Sequence, residues 1–424
     1  MSIFSRLFRK KSPEDAAQAS AKGGKESPSV EESQAHQTTG GEYNTKENMN
    51  NDVATKPKGC GQDEVKSTSA DEKISVYHLI VLDESGSMSC VWQQTISGCN
   101  ETIQTIRQMQ KDNPNQQHFV SIYLFCTGNN RYIAKNVKVE KVKEITNWDY
   151  KPNSCTPLFD ALGYTLTELK AIIKPKTSLG YVTIITDGYE NDSHEYTIEK
   201  VRQLIDELKK MDVIFTFVGA NIDAAVYANR LNINNSMQFE QTQEGMHEMW
   251  EQEKQSRRRS SAQMRFFSKF MADEMNDFGA RGNSGHYYDN DIDENRITPS
   301  NITSLGKDEV FVFGSNKDGQ HNGGASAMAA AKFGAVMGQA EGLQGQSYAI
   351  TTDGVTEEEM YKSIDRFCDF AKDHPELTFL VTTVGCGSAG YTPYVVAPMF
   401  RKAVNLANVK LPKAFWIYTD RAYV

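Results

Sequence analysis

His78-Leu79-Ile80-Val81-Leu82-Asp83-Glu84-Ser85-Gly86-Ser87-Met88-Ser89 decides the reading of this chain. An apolar run ends in Asp83, and two hydroxyls, Ser85 and Ser87, follow at alternate positions. A short unbroken apolar run closed by Gly and Ser is the pattern of a strand buried on both faces, as in a parallel sheet. The turn after such a strand lies at the carboxyl edge, where open α/β folds bind ligands. One carboxylate and two hydroxyls crowd that turn. Hard oxygen donors suit Mg²⁺, Mn²⁺ or Ca²⁺ rather than zinc or copper. Taken alone, the two serines also fit a plain helix cap.

Two later segments add to the set. Cys155-Thr156-Pro157-Leu158-Phe159-Asp160 places a Thr hydroxyl just before a helix that Pro157 can start. Tyr181-Val182-Thr183-Ile184-Ile185-Thr186-Asp187-Gly188 is a second apolar strand ending in Asp, with Gly188 allowing a sharp turn. Three fragments in this order, each at a strand-to-helix junction, favour a metal site over unrelated caps and turns. Over residues 74–245 the chain resembles a von Willebrand factor A (VWA) domain with its metal-ion-dependent adhesion site, Asp-x-Ser-x-Ser, then Thr, then Asp. That resemblance implies that Ser85, Ser87 and Thr156 ligate Mg²⁺ (or Mn²⁺) directly, while Asp83 and Asp187 act mainly through bound waters. The stretch Val218-Gly219-Ala220-Asn221-Ile222-Asp223-Ala224 looks like a later edge of the same family. A first shell built largely from neutral hydroxyls leaves the ion's charge poorly compensated, so a partner protein's Asp or Glu carboxylate is the expected ligand. No general base or nucleophile stands in the motif, which points to binding rather than catalysis.

A chain of 424 residues exceeds what one core normally spans, so two folded domains plus a tail are expected. The formal net charge of −9 argues against nucleic acid as the main partner. Cys60, Cys90, Cys99, Cys126, Cys155, Cys368 and Cys386 form no CxxC pair. An odd, unpatterned set suggests reduced thiols and a cytoplasmic setting.

Residues 1–73 are rich in Ser, Gly, Gln, Asn, Glu and Lys and read as a disordered tail. Within it Ile3, Phe4, Leu7 and Phe8 share a helical face beside Arg6, Arg9, Lys10 and Lys11, a pattern compatible with weak membrane contact through residues 1–11. Residues 74–245 alternate strands and helices, which implies a doubly wound parallel sheet in an α/β domain. Residues 246–300 read as a helical connector and linker, and Arg257-Arg258-Arg259 as a solvated helix face.

A second, smaller α/β unit is expected over residues 301–424. Glu309-Val310-Phe311-Val312-Phe313-Gly314-Ser315-Asn316 is a strand ending in polar residues, followed by a small-residue helix opening near Gly323, Gly324 and Ala325. Bare N–H groups at such a helix start make a phosphate cradle. A buried strand over 378–384 runs into Gly385-Cys386-Gly387-Ser388-Ala389-Gly390-Tyr391, and 413–418 reads as a last strand. Gly385, Gly387 and Gly390 spell GxGxxG, yet the acid expected about twenty residues on is missing, since position 410 is Lys. The loop pair looks more like a macrodomain of a phage or bacterial type. That resemblance implies an ADP-ribose-like ligand held by Asn316, Gly323, Gly324 and Ala325 on one side and by Gly385, Cys386, Gly387, Ser388, Ala389, Gly390 and Tyr391 on the other. No acid matches the hydrolases of that family; Asp353 and Asp318 are candidates by position alone.

Three readings are compatible with these features. One is an interaction protein that binds a partner's carboxylate through a metal and a nucleotide-like ligand through its C-terminal unit. Another is an ADP-ribosyl hydrolase whose VWA-like unit recruits substrate. The last is a scaffold with no ligand in its C-terminal unit.

Overall fold

The computed structural model describes residues 73–175, 177–220, 223–271, 278–289 and 292–419. The run that ends in Asp83 forms β1 (Ile74–Asp83), flanked by two parallel neighbours, β2 (Gln116–Phe125) and β4 (Ser178–Thr186). With β3 (Arg131–Lys138), β5 (Val213–Ala220) and β6 (Asn235–Phe239) they make a sheet of order β3-β2-β1-β4-β5-β6, in which β3 alone is antiparallel. The apolar runs are continuous because both faces are covered. Val76, Ile80 and Leu82 pack with α1 (Trp92–Asp112) and α5 (Gln243–Phe270), while Leu79 and Val81 pack with α2 (Leu158–Ile172), α3 (Ile198–Lys209) and α4 (Ala224–Arg230). Alternate side chains of one strand thus serve opposite layers. The α/β, doubly wound expectation matches this architecture.

After α6 (Phe278–Gly282) comes a second sheet of order β11-β10-β7-β9-β8. It contains β7 (Glu309–Asn316), β8 (Gly342–Gln344), β9 (Ser347–Asp353), β10 (Thr378–Val381) and β11 (Val409–Lys410), with only β8 antiparallel. Helices α7 (Gly324–Lys332), α8 (Glu357–Asp373) and α9 (Pro393–Val396) follow β7, β9 and β10. The capping box of Thr356 and Glu359 fixes where α8 starts.

Two expectations are corrected. Residues 413–418 do not form a strand: α10 (Lys413–Trp416) starts directly after Pro412, and the last strand is β11. A short apolar run does not discriminate strand from buried helix, and Pro412 both withholds a ladder N–H and suits a helix start. The arginine run 257–259 is not a solvated face. Arg257 is 1% exposed and Arg259 is 5% exposed. Residues 278–289 also pack on the first sheet, where Asn283 accepts from Phe215 N and donates to Val213 O. The described residues fall within one compact unit. The expected tail and its amphipathic start fall on residues 1–72, outside the described residues. No helix among the described residues is long and apolar enough to cross a membrane.

Buried polar groups explain the position of α5. Arg257 Nη2 pairs with Glu253 Oε1 at 2.5 Å and donates to Thr183 Oγ1 at 2.8 Å, while Nη1 meets His78 Nδ1 at 2.9 Å. Tyr288 OH donates to the other Glu253 oxygen at 2.7 Å, and His78 Nε2 meets His118 Nδ1 at 2.9 Å. This chain of partners fastens α5 to β1, β2 and β4. The far half of α5 reaches the second sheet's helices, where Arg265 and Lys269 both pair with Glu357.

Candidate functional site

Parallel β1 and β4 end side by side, so the turns after Asp83 and Thr186 meet at the carboxyl edge of the first sheet. Asp83 Oδ1 accepts from Ser85 N at 2.7 Å, and Oδ2 accepts from Thr186 Oγ1 at 2.6 Å. Ser85 and Ser87 hydroxyls lie 3.1 Å apart, and Ser87 Oγ donates to Asp187 Oδ1 at 2.6 Å. Thr156 Oγ1 sits beside the Asp187-Gly188 turn, 3.3 Å from where a Cβ on Gly188 would stand. The five residues picked out by the motif therefore converge. Asp83, Ser85, Thr156 and Asp187 are buried and Ser87 is exposed, which leaves the cluster open on one side.

The surrounding loops are tied down by residues that the motif does not include. Asn191 Oδ1 accepts from Thr156 N at 2.8 Å. Glu190 accepts from Phe159 N, Asp192 N and Ser193 N, and Asp160 accepts from the N–H groups of residues 194–196. Gln241, just before α5, donates to Asp187 Oδ2 and to Ser87 O. Nothing in the sequence near Gln241 marks it, because its partners lie more than fifty residues away.

Charge separates Glu84 from Asp83 and Asp187. Glu84 is fully buried and held by Arg131 through two hydrogen bonds of 2.5 and 2.9 Å. Neither Asp83 nor Asp187 has a salt-bridge partner among the described residues. Burial pushes the Asp83 carboxyl up to about 6, the Asp187 charge adds to the shift, and bonds from Thr186 and Ser85 oppose it. Burial also raises the Asp187 carboxyl against its bonds from Ser87 and Gln241. Among the described residues no cluster of three or more His, Cys, Asp or Glu side chains is placed for a metal. A metal site at this edge would therefore draw mostly on hydroxyl oxygens.

These shifts set a pH dependence of folding. Burial drives the His118 pKa down to about 3, and burial with the neighbouring Arg257 and His118 lowers that of His78 well below its usual value. Both take a proton on unfolding, so the stability they support is present above about pH 6.5 and is lost as pH falls toward their folded values. From pH 7 to pH 5 His118 alone should cost about 2 kcal/mol and His78 should add to the loss, while Asp83, protonated more readily when folded, returns about 1. Urea midpoints at the two pH values should show the net loss, and His118→Gln should remove the His118 part of it. A profile flat between pH 7 and 5 would contradict neutral burial of the pair.

The second sheet also presents a cleft at its carboxyl edge, of about 600 Å³. Asn316, Gly323, Gly324, Ala325, Gly385, Cys386, Gly387, Ser388 and Ala389 line it. Gly390 and Tyr391 do not; they close the loop from behind, with Gly390 N donating to Gly387 O and Tyr391 N to Gly385 O. Gly324 has φ +56°, a conformation that suits only glycine well, and Gly387 faces open space without an unusual φ. Missing from the sequence-based set were Ser315, Thr352 and Thr383, among others. Their positions at strand ends are the signal that was available. Asp318 is not among the lining residues, whereas Asp353 is the one carboxylate there. Burial pushes the Cys386 thiol up to about 11, so it is not poised as a thiolate.

No family model matches the chain, and no curated protein is similar to it. Solved structures are similar over part of its length. One is the von Willebrand factor type A protein from Catenulispora acidiphila, at 12% identity and TM-score 0.29, with 43% of this chain and 42% of that one covered. The SpRpn10 VWA domain has 10% identity and TM-score 0.31, covering 42% and 95%. Proximal thread matrix protein 1 from the mussel byssus has 13% identity and TM-score 0.29, covering 42% and 45%. The match thus spans less than half of the Catenulispora chain.

Proposed function

We propose that the chain is a binding protein in which residues 74–245 present a divalent cation to a partner. The observation that supports this reading is the charge balance at the edge of the first sheet. Asp83 and Asp187 are buried with no salt-bridge partner among the described residues, while adjacent Glu84 is paired with Arg131. The Ser85 and Ser87 hydroxyls lie 3.1 Å apart and the Thr156 hydroxyl lies beside the Asp187-Gly188 turn, and hard oxygens of this kind suit Mg²⁺ or Mn²⁺. Bound there, the ion would supply an open coordination position for an Asp or Glu carboxylate of the partner.

Isothermal titration of the full chain with Mn²⁺ tests the proposal. Asp83→Ala should weaken binding at least tenfold while the circular dichroism spectrum stays unchanged, since Asp83 lies at the sheet's edge. Equal affinity in the variant and the wild type would sink the metal reading.

The second cleft supports a companion reading: residues 301–424 take a phosphate-bearing ligand of the ADP-ribose type. Most of the glycine-rich positions singled out from sequence line one cavity of suitable size. Asp353 is the group to test for hydrolysis of such a ligand; turnover lost in Asp353→Asn with binding retained would move the chain from binder to enzyme.

A further inference from the structure

An exposed tryptophan stands on the tightly bonded segment that leads into Thr156 of the candidate cation site. Trp148 is 83% exposed. Its turn is nonetheless tightly held. Asp149 accepts from Thr146 N at 2.8 Å and from Thr146 Oγ1 at 2.6 Å, and its carbonyl accepts from Arg131 at 2.6 Å. On the next residue, the buried Tyr150 hydroxyl donates to Asp83 O at 2.7 Å, and Lys151 N donates to Glu84 Oε1 at 2.6 Å. Trp148 is therefore fixed to the end of β1 that carries Asp83, on the segment that leads into Thr156. Lys151 Nζ lies 5.2 Å from the centre of its ring. A second aromatic, Tyr189, is 54% exposed on the turn that starts at Asp187, with its ring edge-on to Tyr227 at 5.6 Å.

Two exposed aromatics, on the segments that carry Thr156 and Asp187, are costly to keep in water and lose little entropy on binding. Trp and Tyr are enriched among the residues that dominate interface energies. Charge gives the other half of the match. The chain as a whole is acidic, yet this edge combines a cation site with the Lys151 ammonium that lies over the Trp148 ring. An acidic segment is thus drawn to the cation and to Lys151 against the chain's net negative charge.

We infer that the partner surface is formed by Trp148, Lys151 and Tyr189 around the cation site, and that it fits a peptide segment with an Asp or Glu for the ion, a large apolar or aromatic side chain beside it, and a second acid facing Lys151. This inference rests on the cation reading of Asp83 and its neighbours.

A phage-displayed peptide library with a fixed central Asp and randomised flanks, selected against the full chain in Mn²⁺ and eluted with EDTA, tests it. Enriched peptides should carry aromatic or large aliphatic residues near the Asp and a further acid. They should bind Trp148→Ala about tenfold or more weakly, and Tyr189→Ala and Lys151→Ala more weakly as well, while all three variants keep wild-type Mn²⁺ affinity. The inference falls if selected peptides bind Trp148→Ala and Tyr189→Ala as tightly as wild type, or if no Mn²⁺-dependent peptide emerges from a protein that does bind Mn²⁺. A wild-type chain that binds no Mn²⁺ would instead overturn the cation reading, and this inference with it.

Discussion

Arg257→Ala should cost about 3–5 kcal/mol of folding stability, read as a fall in the urea midpoint of the full chain. Arg257 is 1% exposed and Glu253 is 0% exposed. Removal of the guanidinium leaves the Glu253 carboxylate in the interior with only the Tyr288 and Thr183 hydroxyls. It also strips the partner from His78 Nδ1 and from one side of Thr183. The price of such a change is the desolvation of an orphaned charge rather than the net worth of the pair. Replacing both members removes that penalty. The double variant Arg257→Met, Glu253→Met should therefore recover most of the loss, because similar volume is kept and no charge is stranded. A loss below about 1 kcal/mol in Arg257→Ala would mean that the cluster does not fasten α5.

Arg257 also shows where the sequence stops being legible. Buried parallel strands announce themselves, since both faces need apolar side chains and the run is continuous; residues 78–83 and 181–186 were readable for that reason. The motif residues were readable because each sits at a strand end, and a strand end fixes direction. Helix α5 gave no such sign. Its composition is that of a solvated helix, yet its acid at 253 and its arginine at 257 are four residues apart and pair on one face inside the protein. Whether a charged face points to water or to a matching charge depends on partners such as His78 and Thr183, which are more than seventy residues away. Gln241 at the cation site was hidden in the same way. Residues 413–418 failed differently, because apolar content gives burial but not period over so short a run.

Gly387→Val should weaken ADP-ribose binding by the full chain at least a hundredfold while leaving the melting temperature nearly unchanged. Gly387 lines the cleft, a Cβ built on it meets nothing within 4 Å, and its φ is not in the left-handed region. The added side chain therefore enters the cavity instead of straining the backbone. Gly324 is the poorer probe, since φ +56° there would strain any other residue and confuse folding with binding. Among the described residues that line the cleft there is no Lys or Arg. A diphosphate in this cleft would rest on backbone N–H groups at the start of α7 and in the loop after β10, whose dipoles favour an anion without a counter-charge. Two consequences follow for calorimetry. Adenosine should bind far more weakly than ADP-ribose, because it offers nothing to those N–H groups. Added KCl should weaken ADP-ribose binding only slightly, because no lysine or arginine charge is there to be screened. Asn316→Ala should weaken binding less than Gly387→Val, since it removes one side chain and leaves both loops in place. If Gly387→Val binds ADP-ribose like the wild type, or if the wild type gives neither heat nor a thermal shift at saturating ligand, the cleft serves another purpose.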